Sequence, residues 1–162
     1  MGAASVDQDE QMIGPITAGD VVAAALVGLL ATVVMNVPMG RLPEGQTAPA
    51  VAAAVLTDTH PDTAPERVAT LVHYVAGTGT GILFLSLVVL LGQVLPVTLA
   101  QPLAGGVLFI VMVAFFVLVP LPRAGQFSRH RLDLIKRDWA VSAAAYVVVA
   151  GILLWIIVPS LP

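Results

Sequence analysis

One histidine lies within a glycine- and threonine-rich apolar run, VHYVAGTGTGILFL, from Val72 to Leu85. Such a run could bind phosphate, as the glycine-rich loop of a nucleotide-binding protein does, or could pack against another membrane helix. A Walker-type loop needs a preceding strand and a Gly-Lys-Ser/Thr ending. No lysine directly follows Gly81, and both flanks are apolar over helical lengths. The pattern therefore predicts helix packing rather than phosphate binding.

The partner for this packing is predicted on the first apolar segment. Small or polar residues recur there at every fourth position: Ala24, Gly28, Thr32 and Asn36. Gly77 and Gly81 show the same spacing, and such pairs of small residues let two membrane helices approach closely. Stripes at this spacing favour a right-handed crossing. We therefore expect the first and second spans to touch along these residues.

Three polar side chains are predicted at one depth in the membrane: Asn36, His73 and Ser142. Each lies five or six residues from a basic residue at the end of its span, which corresponds to roughly 8–9 Å at the helical rise. Asn36 and His73 continue the two packing stripes and are expected to hydrogen-bond to each other. Two roles stay open for them: an interhelical hydrogen bond of about 0.6 kcal/mol, or a site on a proton or ligand path. No acidic residue within the spans is available to partner His73, which favours the structural role.

Other residues with chemical potential are few. The segment DTHPD, with Asp58, His60 and Asp62, contains metal-ligand types but lacks a convincing fourth ligand, so a solvated loop is expected. The chain has no cysteine, which excludes disulfides and thiolate chemistry. No paired carboxylates and no nucleophile–base arrangement are recognisable. The sequence therefore predicts no enzyme activity, no metal and no cofactor.

The composition indicates that lipid is the main solvent of this chain. Of the 162 residues, 58% are hydrophobic and 10% are charged, whereas soluble domains carry about 25% charged residues. The charges are also clustered, because none lies between Asp20 and Arg41, between Arg67 and Arg123, or after Asp138. These intervals are long enough for spans of about 20 apolar residues.

Four transmembrane helices are predicted in an all-α polytopic membrane protein, over residues 20–39, 67–92, 102–121 and 139–158. Residues 1–17 are expected to form a disordered acidic tail, and 18–162 a single transmembrane domain. The turn between the second and third spans is expected at Gly92–Pro102, where prolines and glutamines cluster. A short helix is predicted at Thr47–Leu56, and a capping box from Thr63 to Glu66 is expected to open the second span.

The basic residues predict the orientation. All seven Lys and Arg lie in the connections after the first and third spans, and none lies in the tail, the middle turn or the C-terminus. The positive-inside rule places both connections in the cytoplasm and both termini outside. Trp139 and Trp155, near opposite ends of the last span, fit interfacial anchors.

The second basic connection has a further interpretation. Apolar residues alternate there with five bases, and a basic amphipathic helix could bind anionic headgroups at about 1 kcal/mol per base. The alternative is a topology signal alone. The bases concerned are Arg123, Arg129, Arg131, Lys136 and Arg137.

A faint internal repeat suggests two tandem helical hairpins, a symmetry known in transporters. The segment VPMGR at Val37–Arg41 ends the first span, and VPLPR at Val119–Arg123 ends the third. Chance and shared membrane sequence preferences are the alternative explanation.

The first half of the chain resembles a group of small prokaryotic membrane proteins, above all haloarchaeal ones. The resemblance rests on VVMNVPMGR, the short loop helix and the spacing of His73, Gly77 and Gly81. It implies a four-helix membrane fold and carries no established activity. The many arginines and the Asp- and Thr-rich loops likewise indicate a halophilic source.

Together these features predict a small accessory or structural component of the cytoplasmic membrane. Its expected partners are membrane lipids and either a second copy of the chain or another membrane protein, but not nucleic acid. The alternative is a small transporter or channel subunit with a polar site near His73.

Overall fold

The computed structural model describes residues 16–125 and 127–158, and every regular element in these ranges is helical. Four of the five α-helices are long and apolar enough to cross a membrane, and the exception is the second and shortest one. The predicted all-α fold with four membrane-spanning helices is therefore confirmed. The helices are α1 (Ala18–Met39), α2 (Thr47–Thr57), α3 (Glu66–Gly92), α4 (Val97–Leu118) and α5 (Arg129–Ile157).

Helix α1 begins with a capping box that the sequence analysis did not identify. The Thr17 hydroxyl accepts a hydrogen bond from the Asp20 backbone N–H at 3.2 Å, and the Asp20 carboxylate accepts one from the Thr17 backbone N–H at 2.8 Å. This reciprocal pair satisfies two N–H groups at the helix start. Of the predicted tail, residues 1–15 lie outside the described ranges, and Thr17 is the N-cap of α1.

Helix α3 begins without the predicted capping box. Pro65 occupies the N-cap position and Glu66 is the first helical residue, so Thr63 lies too far upstream to cap it. The Thr63 hydroxyl instead donates to the His60 carbonyl at 3.1 Å within a short 3-10 turn. The physical reason is Pro65, because proline disfavours the helical conformation in the residue that precedes it. Ala64 is accordingly extended.

Helices α4 and α5 both begin earlier than predicted. Helix α4 starts at Val97 rather than at residue 102, and Pro102 lies inside it. A proline in the second turn removes one hydrogen bond to the carbonyl of Thr98, and the helix tolerates this loss. Helix α5 starts at Arg129 rather than at residue 139, with the Ser128 hydroxyl as its N-cap. The basic segment is therefore the first part of the last span and not a separate helix.

The four long helices form a bundle in which α1 and α4 each pack against both α3 and α5. Buried apolar side chains fill its centre, and the largest of them are Tyr146, Phe84, Met35 and Met39. The connections 40–65 and 119–125 lie at one end, here called the loop end. The turn at 93–96 lies at the opposite end, here called the turn end, together with the start of α1 and the finish of α5.

A second, smaller core joins the two connections at the loop end. Ala48 and Val51 of α2 pack there with Phe116 of α4, Leu121 of the second connection and Ile135 of α5. Helix α2 therefore fills the loop end of the bundle, and the short helix predicted at Thr47–Leu56 is confirmed.

The two halves of the proposed repeat have different structures at their connections. Helix α1 continues through Pro38 to Met39, whereas α4 ends at Leu118, before Pro120. The first connection contains α2, and the second contains a 3-10 turn at Leu121–Arg123. The internal repeat stays a prediction from the sequence alone.

Candidate functional site

The closest helix contact in the bundle joins α1 to α3 through glycine. A Cβ atom on Gly28 would lie 2.5 Å from the carbonyl oxygen of Gly77 and 2.9 Å from Cα of Gly81. A Cβ atom on Gly81 would lie 2.7 Å from Cα of Gly28. Real Cβ atoms do not approach backbone this closely, so glycine is required on both helices. The two stripes therefore lie in direct contact at these glycines.

The other stripe residues take part in the same contact. Ala24 and Thr32 are completely buried, and the Thr32 hydroxyl donates to the Gly28 carbonyl one turn earlier at 2.7 Å. The Thr32 side chain fills the space in front of Gly77, where a Cβ atom would lie 3.0 Å from Cβ of Thr32. Helices α1 and α3 are therefore held in one fixed register.

Asn36 and His73 lie where these two helices approach the loop end, and they form the hydrogen bond that the sequence predicts. His73 Nε2 lies 3.1 Å from Asn36 Oδ1. The Asn36 amide nitrogen donates to the Tyr74 hydroxyl at 2.9 Å, and the rings of His73 and Tyr74 meet edge to face at 5.5 Å. The result is a cluster of three linked polar side chains.

This hydrogen-bond pattern determines which groups remain available. Because the Asn36 amide nitrogen is the donor to Tyr74, its oxygen is the acceptor toward His73. In a neutral imidazole, Nε2 then carries the proton and Nδ1 is left as an acceptor. The Tyr74 hydroxyl, which accepts from Asn36, keeps its own proton to donate. The cluster can therefore both accept and donate further hydrogen bonds.

A cavity of about 470 Å³ lies against this cluster, between α1, α2 and α3. Its inner wall is Asn36, His73 and Tyr74, and its outer part is formed by residues near the start of α3 and around α2. The described residues there are Gln46, Pro49, Ala50, Ala64, Glu66, Ala69 and Thr70. Gln46, Glu66 and Thr70 are exposed, so the cavity opens at the loop end.

Ser142 does not extend this cluster. It is completely buried on α5, but its hydroxyl donates to the Asp138 carbonyl one turn earlier at 2.8 Å. Tyr146, one turn further along α5, donates instead to the Gly77 carbonyl of α3 at 2.7 Å. The polar contact between α5 and the glycine-rich region of α3 is thus made by Tyr146.

Arg131, in the first turn of α5, connects the two ends of the first connection. Its Nε donates to Glu44 at 2.8 Å, and its terminal nitrogens donate to the two Asp62 oxygens at 2.7 and 3.1 Å. The Phe127 ring lies 5.1 Å from the guanidinium. A bidentate pair of this kind is among the strongest charge-assisted contacts. The hydrogen bond from Arg131 holds the pKa of the Asp62 carboxyl below its usual value.

A second contact joins α5 to the same connection through a buried carboxylate. Asp138 is completely buried. One of its oxygens accepts from Arg137 at 2.8 Å, and the other accepts from the Glu44 backbone N–H at 2.9 Å. A buried charge is costly unless it is paired and hydrogen-bonded in this way. Glu44 is therefore held by α5 through both its side chain and its backbone.

The remaining predicted headgroup residues, Arg123, Arg129 and Lys136, are exposed at the loop end. Arg123 donates to the Val119 carbonyl at 2.7 Å. Trp139 is half-buried: its indole N–H donates to the Met112 carbonyl at 3.2 Å, and its ring packs against Phe116 at 5.0 Å.

The DTHPD segment is organised by contacts other than metal ligation. Asp62 is bound to Arg131, and Asp58 ends α2 in a left-handed conformation with φ of 52°. Over residues 16–125 and 127–158, no group of three His, Asp or Glu side chains is arranged to hold a metal ion.

A larger, apolar cleft of about 700 Å³ lies between α4 and α5 toward the turn end. Gly105, Gly106, Gly151 and Trp155 are among its lining residues, and Gln101 supplies a polar group at one side. The Gln101 amide donates to the Gly151 carbonyl at 2.7 Å, so the donor that it brings to this cleft is satisfied within the protein.

No known family model matches the sequence, and neither a curated protein nor a solved structure matches it.

Proposed function

We propose that the protein is a rigid accessory component of the cytoplasmic membrane, with both termini outside and the loop end in the cytoplasm. The observation that carries this proposal is the double link between α5 and the first connection through Arg131 and Asp138. A transporter built of two hairpins works by rocking one against the other. Here the hairpin of α1 and α3 and the hairpin of α4 and α5 are tied together.

Two further links support a rigid body. The small core at the loop end takes residues from both hairpins, and the Tyr146 hydroxyl bonds to the Gly77 carbonyl across them. Packed cores resist continuous deformation. A protein of this kind serves as a fixed platform for lipids and for a partner, either a second copy or another membrane protein.

The orientation rests on charge. Every basic residue lies at the loop end of the bundle or in the adjoining turns of the helices, and the positive-inside rule assigns that end to the cytoplasm. No catalytic activity is proposed, since no nucleophile–base pair or paired carboxylates accompany the His73 cluster among the described residues that line the cavity.

Rigidity can be measured with pairs of spin labels in nanodiscs, because the chain has no cysteine of its own. One pair joins cysteines placed at Leu56 and Lys136 at the loop end, and the other joins Val22 and Ile156 at the turn end. All four positions are exposed. A rigid component gives one narrow distance distribution at each end.

The ties between hairpins predict how this result changes on mutation. Arg131→Ala should broaden the loop-end distribution, because it removes the bonds to both Glu44 and Asp62. The matched control is Arg129→Ala, an exposed base two residues earlier, which should leave both distributions unchanged. The proposal would be contradicted if the unmodified protein showed two distance populations at each end, with the distance at the loop end increasing where the distance at the turn end decreases.

That contrary result would favour the second candidate function, a small transporter or channel subunit. The observation on its side is the cavity that reaches His73 from the loop end. Ionisable residues inside membrane bundles commonly mark solute or proton paths.

A further inference from the structure

We infer that the cavity between α1, α2 and α3 is a binding site for an ammonium group, carried by a small free amine or by a lipid headgroup. This site goes beyond the accessory role and is independent of it, since a rigid body can hold a ligand. The inference starts from size. Small-molecule sites measure about 300–1,000 Å³, and this cavity of about 470 Å³ falls within that range.

The inner wall of the cavity holds polar groups that the helices do not fully use. His73 uses Nε2 for its hydrogen bond to Asn36, which leaves Nδ1 free to accept another. Tyr74 accepts from Asn36, which leaves its hydroxyl proton free to be donated. By the helical rise, His73 lies about 10 Å inward from Glu66, the first residue of α3. Acceptors held at this depth in a low-dielectric wall can fix the orientation of a ligand.

The charge of the lining selects the sign of the ligand. Among the described residues that form the cavity, Glu66 is the one with a formal charge at neutral pH. Arg131 binds Glu44 and Asp62. Arg67 lines an adjoining groove that shares Glu66, Thr70 and Tyr74 with the cavity, but it is not among the residues that line the cavity itself. A negative group at the mouth of a low-dielectric cleft concentrates cations.

The aromatic lining favours an organic cation over a hydrated metal ion. Tyr74 lines the cavity, and ammonium groups bind to the faces of aromatic rings within about 6 Å. His73 Nδ1 can accept a hydrogen bond from an N–H of the same group. Pro49, Ala50 and Ala69 supply apolar surface for the carbon substituents of the ligand.

Nitrogen NMR of the three histidines in phosphatidylglycerol nanodiscs tests this site. Tetramethylammonium and methylammonium chloride are titrated against sodium chloride at equal ionic strength. We expect the His73 ring signals to shift and saturate with the two ammonium ions but not with sodium. His60 and His130, both exposed at the loop end, serve as internal controls and should not saturate.

Two variants separate the site from a general effect of charge. Glu66→Gln keeps the shape of the mouth and removes its charge, and should weaken ammonium binding roughly tenfold. The matched control is Asp58→Asn, which removes an exposed carboxylate of the same connection outside the cavity and should leave binding unchanged. Ala50→Leu should abolish saturation by filling the cavity, with the His60 and His130 signals reporting an intact fold.

Changing the lipid of the nanodisc distinguishes the two sources of the ammonium group. If phosphatidylcholine in the nanodisc competes with tetramethylammonium, the headgroup of a lipid is the occupant, and if it does not, a free amine is. Saturation of His73 by acetate or phosphate, unchanged binding in Glu66→Gln, or no saturation with either ammonium ion would each overturn the inference. None of these results would alter the label distances that test the accessory role.

Discussion

At the scale of single residues, some of the charged side chains at the loop end bind to one another. Arg131 and Asp138 both hold the first connection, and each does so through Glu44. Sequence analysis identified Arg131 as a headgroup or topology residue and did not single out Asp138. Only contacts between distant parts of the chain reveal that these two residues have structural partners, and no spacing rule encodes such contacts.

The Asp62–Arg131 pair gives a measurable pH effect. The hydrogen bond from Arg131 lowers the pKa of Asp62 below its ordinary value of 3.8, so carbon NMR should find this carboxyl titrating at lower pH than an exposed aspartate. Arg131→Gln should return the pKa of Asp62 toward 3.8, whereas Arg129→Gln should not.

The sign of the linked stability effect follows from the same shift. Because the pKa of Asp62 is depressed in the folded state, its ion pair with Arg131 stabilises the fold at pH values above the ordinary pKa of aspartate. This stabilisation is lost as the pH falls through the lowered pKa of Asp62. An Asp62 carboxyl that titrates at 3.8 or above in the unmodified protein would show that this ion pair does not form in solution.

At the scale of elements, the α1–α3 contact depends on the absence of side chains at Gly28 and Gly81. We expect Gly81→Ala to lower the thermal unfolding temperature in detergent, because the new methyl group would meet the backbone of α1. Overpacking of this type costs about 1–3 kcal/mol.

The control for this variant lies on the same helix. Gly79 is exposed, and a Cβ atom there would meet nothing within 4 Å. Gly79→Ala should therefore leave the unfolding temperature unchanged or raise it slightly, since alanine favours helix. Equal effects of the two variants would mean that close approach of the backbones does not stabilise the bundle.

The starting points of helices were harder to predict than their existence. Apolar length predicted four spans, but Pro102 suggested a later start for α4 and the basic residues suggested a later start for α5. Proline is compatible with an early helical turn, and charged residues are compatible with a helix that extends beyond the membrane. Hydropathy alone therefore reports the span and not the whole helix.

At the scale of the whole molecule, the orientation is open to a direct test. Single cysteines at Asp58 in the first connection and at Val94 in the 93–96 turn lie at opposite ends of the bundle, and both sites are exposed. A membrane-impermeant maleimide applied to intact cells should label the cysteine at 94 and not the one at 58, because the basic end is expected in the cytoplasm.

Permeabilised cells provide the control, since both cysteines should then react. Labelling at 58 alone in intact cells would reverse the orientation and would place the cavity mouth outside. Labelling at both sites before permeabilisation would instead show that the chain enters the membrane in two orientations.

From the sequence by itself it was possible to predict that lipid surrounds most of the protein, that there are four spans, and that α1 pairs with α3. These depend on local properties: runs without charge, and small residues at a spacing of four. The contact between Asn36 and His73 was also predictable, because the two residues continue the two packing stripes at equal depth.

The tertiary structure alone decided the rest of the site. Tyr74 joins the cluster, Ser142 bonds within its own helix, and α2 folds back to leave a cavity above His73. The ties from α5 to Glu44 arise in the same way. Such arrangements depend on how separate segments of the chain meet in space. A sequence pattern within one segment carries no information about the shape of a cavity that three segments enclose.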